Sequence, residues 1–145
     1  MKDLEFLRQV EIGLINIIKI FDPNMNNKCH TISNMIASYF NTHFESNLFH
    51  YSDQGRHGWV ANTIFAFEYR DSEQRIITDP KKLKHRNSYY KMKLLAIESA
   101  KKVANPKEVK SFLNWFQNNF KEIDKACINV GMYSETRWHE CILSE

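Results

Sequence analysis

Leu4, Leu7, Val10, Leu14, Ile15, Ile18 and Phe21 recur at helical spacing, with Lys2, Glu5, Arg8, Gln9 and Lys19 between them. The pattern predicts an amphipathic helix to about Phe21, stopped by Asp22-Pro23. A loop, "PNMNNK", follows. Cys29, Ile32, Ser33, Ile36 and Phe40 then fall on one face of a second helix, which Cys29 opens on its inward side. Beyond Asn41 the period shortens. "NLFHY" and "GWVANTIFAFEY" are rich in aromatic and β-branched residues, "RDSEQ" is a polar turn, and "RIITDP" is a short apolar run ended by Pro80. These segments predict two or three antiparallel strands.

"KKLKHRNS" reads as a basic loop. From Tyr89 the helical period returns through Leu94, Leu95, Ile97, Ala100 and Val103, and Asn105-Pro106 breaks it. A further helix carries Val109, Phe112, Leu113, Phe116 and Phe120 on one face. The final stretch, "CINVGMYSETRWHECILSE", fits a strand pair and a short helix equally. Helices before and after a small antiparallel sheet make an α+β domain, and there is no internal repeat or low-complexity tract.

Composition narrows this picture. With 145 residues the chain is long enough for one domain, residues 1–145, and too short to expect two. Hydrophobic residues at 43% and ten Phe supply a core, while four Gly and three Pro leave little material for linkers. A net charge of +3, with Lys and Arg scattered, describes a solvated surface, so no nucleic-acid partner is expected. No run resembles a signal peptide or a spanning helix, so no membrane partner is expected either. Three cysteines, Cys29, Cys127 and Cys141, form an odd set without a CxxC. The expected setting is a reducing cytoplasm, or secretion into a host by a machine that uses no classical signal peptide.

The candidate chemistry centres on Cys29. A thiol becomes a nucleophile beside an imidazolium or at a helix N-terminus, where free N–H groups and the helix dipole favour negative charge. His57 lies in "GRHGWVAN" at the start of the long strand, and Asp79 ends the next strand in "IITDP". Cysteine on a helix, histidine on a strand and an acid on a neighbouring strand stand in the order of a Cys-His-Asp triad. Each also has a bland role: an inert core thiol, a surface histidine, a turn residue before proline. A zinc site from His139 and Cys141 with Cys127 or the Cys29-His30 pair matches no common structural spacing, and neither metal nor cofactor is expected.

Cys29 at a helix start, "HGWV" with Trp59 two residues after His57, and "TDP" closing a strand together resemble the core of the papain-like and transglutaminase-like cysteine enzymes. That superfamily includes proteases, transglutaminases, arylamine acetyltransferases and the glutamine deamidases that bacteria inject as toxins. The resemblance covers about Asn26 to Pro80. It implies Cys29 as nucleophile, His57 as general base and Asp79 as the orienting acid, acting on an amide of a protein or peptide substrate. It also implies an oxyanion hole from the Cys29 N–H and an upstream side-chain amide, for which Asn24, Asn26 and Asn27 are available. Trp59 would shield the ion pair from water.

The separation of 22 positions from His57 to Asp79 exceeds the usual spacing of that superfamily. With a turn centred on Ser72-Glu73, Asp79 faces Ala66, and ~3.3 Å per strand residue then puts it about 30 Å from His57. A triad through Asp79 therefore requires the strand after His57 to be interrupted before Tyr69, so that "IITD" pairs back toward "WVAN". Asn87 is an alternative orienter and His50 an alternative base. The competing reading is a non-catalytic α+β binding module.

Overall fold

The computed structural model describes residues 2–24, 28–70 and 74–144. In chain order the elements are α1 (Lys2–Phe21), α2 (Cys29–His43), β1 (Phe49–Asp53), β2 (His57–Ala61), β3 (Ala66–Phe67), β4 (Ile76–Ile77), α3 (Pro80–Arg86), β5 (Tyr90–Met92), α4 (Ile97–Ala100), α5 (Val109–Val130) and a 3-10 turn, η1 (Trp138–Cys141). The five strands form one antiparallel sheet in the order β4-β3-β2-β1-β5. The α+β class and the placement of both long terminal helices agree with the sequence reading.

α1 buries Leu4, Leu7, Val10, Leu14 and Ile18 along one stripe, while Ile12 and Ile20 stay exposed on the other side. α5 matches it with Phe112, Trp115, Phe116, Phe120 and Ile123 and ends on Gly131 at φ +90°. α2 differs from the one-faced helix expected, because every residue from His30 to Phe40 is buried. It lies between the sheet, at β1 and β2, and the helices α4 and α5, so it has no solvent face. Such a helix is held rigidly, and so is whatever its first turn carries.

The strand pattern is broken inside a run that shows no obvious period change. "GWVANTIFAFEY" folds into β2 and β3, with a tight reversal at Asn62. The Asn62 side-chain oxygen accepts the N–H groups of Ile64 and Phe65, both at 2.9 Å, and its own N–H reaches Phe65 O. An asparagine side chain standing in for a backbone carbonyl is what such a turn uses. β3 therefore returns along β2, with Val60 opposite Phe67 and Ala61 opposite Ala66. β4 then pairs with β3 and puts Ile77, not Asp79, opposite Ala66.

"KKLKHR" is a helix rather than a basic loop. Asp79 caps it, its side chain accepting the Lys82 N–H at 3.1 Å, and Pro80 takes the first helical position, where a missing N–H costs nothing. Read as a stop, "DP" was a start. Asp79→Ala is expected to destabilise the fold by about 1 kcal/mol, measured by urea denaturation.

α3 covers the face of the sheet opposite α2, where Tyr51, Trp59, Ala61, Ala66, Ile77 and Leu83 form a second, smaller core. The helix expected from Tyr89 is instead the edge strand β5 followed by the single-turn α4. At the C-terminus both readings hold in part: η1 is helical, and Ile142 bridges to Met92 beside β5. Among the described residues no helix is long and apolar enough to cross a membrane.

Candidate active site

Cys29 occupies the first turn of α2, where Lys28 provides no side-chain cap. The third N–H of the helix, that of Thr31, is satisfied by the Tyr133 hydroxyl at 3.1 Å. Tyr133 in turn donates to Thr31 Oγ1 at 2.7 Å, and Thr31 Oγ1 donates to Asp124 Oδ1 at 2.6 Å. Lys28 Nζ closes the cluster on Asp124 Oδ2 at 2.8 Å. Residues of α5 and the loop after it thus fasten the start of α2. The N–H groups of Cys29 and His30 lie ahead of this cluster and have no partner within the helix.

His57 is the first residue of β2, and the Cys29 side chain lies within reach of its imidazole. Its Nε2 stands 2.6 Å from Glu68 Oε1. Trp59 falls opposite Glu68 when the β2–β3 pairing is continued by one residue, so His57 and Glu68 share a sheet face as a diagonal pair. Nε2 is also 3.2 Å from Arg70 Nε, but a nitrogen that donates to a carboxylate cannot accept from a guanidinium. We place the proton on Nε2, toward Glu68; Arg70 Nε then donates to Glu68 Oε1, 3.0 Å away. That leaves Nδ1 as the ring nitrogen free to exchange a proton with Cys29.

Glu68 is 4% exposed, a buried carboxylate with full compensation. Arg86 Nε and a terminal nitrogen reach its Oε2 at 2.9 and 2.8 Å. Burial pushes its pKa up, but the bonds to His57 and Arg86 and the Arg86 and Arg70 charges outweigh that and bring it down to about 2. Burial pulls His57 down, yet its hydrogen bonds to Cys29 and Glu68, with their charges, raise it to about 9. The imidazole can therefore carry a proton at neutral pH. Trp59 is buried, its ring centroid 5.6 Å from that of His57, and its N–H is held by Arg86 O at 3.2 Å. A small cavity of about 210 Å³, lined in part by His57, Glu68, Arg70 and Tyr89, opens beside the imidazole.

A second histidine system lies behind Cys29. Asn34 Nδ2 is 3.0 Å from His50 Nδ1, His50 Nε2 is 2.9 Å from His30 Nδ1, and His30 Nε2 is 3.0 Å from Gly55 O. Only one arrangement of protons satisfies all three contacts: Asn34 donates to His50, His50 to His30, and His30 to the Gly55 carbonyl. Both imidazoles are then neutral. Burial lowers His30 to about 4 and holds His50 well below its ordinary value. The chain ties α2 to the β1–β2 turn, two residues before His57. Gly58 permits the close approach, since a Cβ there would meet His30 Nδ1 at 2.5 Å.

The residues singled out from sequence distribute as follows. Cys29 and His57 come together. Asp79 caps α3, and the carboxylate on His57 is Glu68. The condition that the strand after His57 be interrupted is met at Asn62, but "AFE" pairs back along "WVA", in place of "IITD". His50 faces His30 and Asn34, and Asn87 donates to Asn62 O and Leu83 O from the end of α3. Asn24 is exposed in the turn after α1, while Asn26 and Asn27 lie outside the described residues. Cys127 is buried, its thiol pushed up to about 12 by burial, and Cys141 donates to Val130 O. Among the described residues no group of three or more His, Cys, Asp or Glu is placed to hold a metal ion.

Glu68 is the residue that sequence reasoning missed. Its signal was a lone acid inside the apolar run "IFAFEY", since an acid at a buried strand position needs a partner. Comparison of the chain with protein-family models, curated proteins and solved structures finds no match.

Proposed function

We propose that this protein is a thiol enzyme that hydrolyses an amide of a protein or peptide substrate, through Cys29, His57 and Glu68. The observation that carries the reading is a cysteine in the first turn of a buried helix, beside a histidine whose Nε2 is held at 2.6 Å by a buried carboxylate. A papain-like or transglutaminase-like core is the reading this arrangement supports best, with glutamate in the orienting position.

In this mechanism Cys29 Sγ attacks the amide carbon, and charge gathers on the carbonyl oxygen. The N–H groups of Cys29 and His30, with the dipole of α2, stabilise that oxyanion. His57 delivers its Nδ1 proton to the leaving nitrogen, the C–N bond breaks, and a thioester remains. Water then attacks the thioester while His57 takes one of its protons, and the C–S bond breaks to release a carboxylic acid and the Cys29 thiolate beside the His57 imidazolium. Glu68 keeps Nε2 protonated and the ring aligned throughout, and Arg86 and Arg70 keep Glu68 ionised. Release of ammonia from a glutamine side chain and cleavage of a peptide bond are the two outcomes of this chemistry.

The test is to treat a cell lysate with the wild-type protein and with Cys29→Ala, and to compare the proteins by mass spectrometry. Gln-to-Glu conversions or new N-termini are expected with the wild type alone. Their absence, or their formation by both proteins, would contradict the proposal.

A further inference from the structure

A cavity larger than the one beside His57 lies away from Cys29, on the sheet face that α3 covers. It encloses about 660 Å³, within the range of small-molecule sites. Phe49 and Tyr51 of β1 form its floor, and Ile64, Pro80 and Leu83 line its sides. Phe49 pairs with Ala61 and Tyr51 with Trp59, so at ~3.3 Å per residue the cavity floor lies about 7 to 13 Å along β2 from His57.

Among the polar residues that line this cavity, two asparagines and two lysines contrast. The Asn62 and Asn87 side chains are spent on the backbone: Asn62 on the β2–β3 turn and Ser46 O, Asn87 on Asn62 O and Leu83 O. Lys84 and Lys91 are different. Both line the cavity, neither has an ion-pair partner among the described residues, and no Asp or Glu lines the cavity with them. Lys91 Nζ sits 4.0 Å above the Phe49 ring, which holds an ammonium over the apolar floor. An apolar chamber with two unmatched cations suits a ligand that is apolar along its body and anionic at one end.

We propose that this cavity binds an amphipathic carboxylate, its hydrocarbon part against Phe49, Tyr51, Ile64 and Leu83 and its carboxylate between Lys84 and Lys91. The site does not use Cys29, so it stands or falls separately from the amide hydrolase reading.

Isothermal titration of the full chain with octanoate tests it, with octanol as the neutral probe and Lys84→Gln/Lys91→Gln as the variant. Both lysines are exposed, so the double variant is expected to fold, and circular dichroism checks that it does. Saturable octanoate binding is expected, weakened about tenfold in the double variant, with octanol bound equally by both proteins. Cys29→Ala should bind octanoate as the wild type does. No saturable octanoate binding, or equal affinity in the double variant, would overturn the proposal.

Discussion

Glu68→Gln is expected to lower turnover by about a hundredfold, and Asp79→Asn to leave it within about twofold. The contrast follows from where the two acids sit. Glu68 bonds His57 Nε2 and holds the imidazole in the orientation that faces Cys29. Its neutral amide can still accept from Nε2, but it no longer offsets the positive charge of Arg86 and Arg70 beside the ring. The imidazolium form is then disfavoured, His57 falls from about 9, and the basic limb of the pH profile moves to lower pH. Asp79 serves only the first turn of α3, where asparagine caps as well as aspartate. Steady-state kinetics across pH on a substrate identified from the lysate comparison would check both variants.

The second large effect is on stability. His30 and His50 are held neutral, and the pKa of His30 is lowered to about 4. The unfolded chain therefore binds more protons than the folded one once pH drops below the ordinary histidine value, and stability falls on acidification from ~6.5 toward 4. The His30 shift alone corresponds to a loss on the order of 3 kcal/mol by about pH 4. His57 acts in the opposite sense. Its folded value is raised to about 9, so its contribution is complete below ~6.5 and is lost as pH rises through 9. Glu68, held down to about 2, contributes above its ordinary value of 4.5 and loses that contribution only in stronger acid. Denaturation curves from pH 4.5 to 9 should show maximal stability near ~6.5. In His57→Ala the loss on the alkaline side should disappear while the acid-side loss remains.

The long elements were legible in the sequence because they depend on local period, whereas Cys29 and His57 could be put together only through the order of a family resemblance. α1 and α5 each bury one stripe, and the first turn of α2 begins where the loop amides end. The carboxylate beside His57 was not legible, because its identity depends on a reversal at Asn62 that a single side chain creates within an apolar run. Once that turn is in place Glu68 returns to the His57 end of β2, and the excess spacing to Asp79 no longer matters. α3 was misread for a related reason. Asp-Pro can close a strand or open a helix, and the Lys82 N–H that decides between them is visible only in the fold. The His30–His50 pair gave no sequence signal, since residues 20 apart meet only after β1 packs on α2.

The catalytic reading rests on Cys29 being activated by His57 under the control of Glu68. The most direct measurement is the rate of iodoacetamide alkylation at Cys29 in the native protein at neutral pH, resolved by peptide mass spectrometry in wild type, His57→Ala, Glu68→Gln and Asp79→Asn. Cys29 should label while buried Cys127 and Cys141 are spared, and its rate should fall about tenfold or more in His57→Ala, fall in Glu68→Gln, and hold in Asp79→Asn. A Cys29 that labels equally fast without His57 would contradict the account.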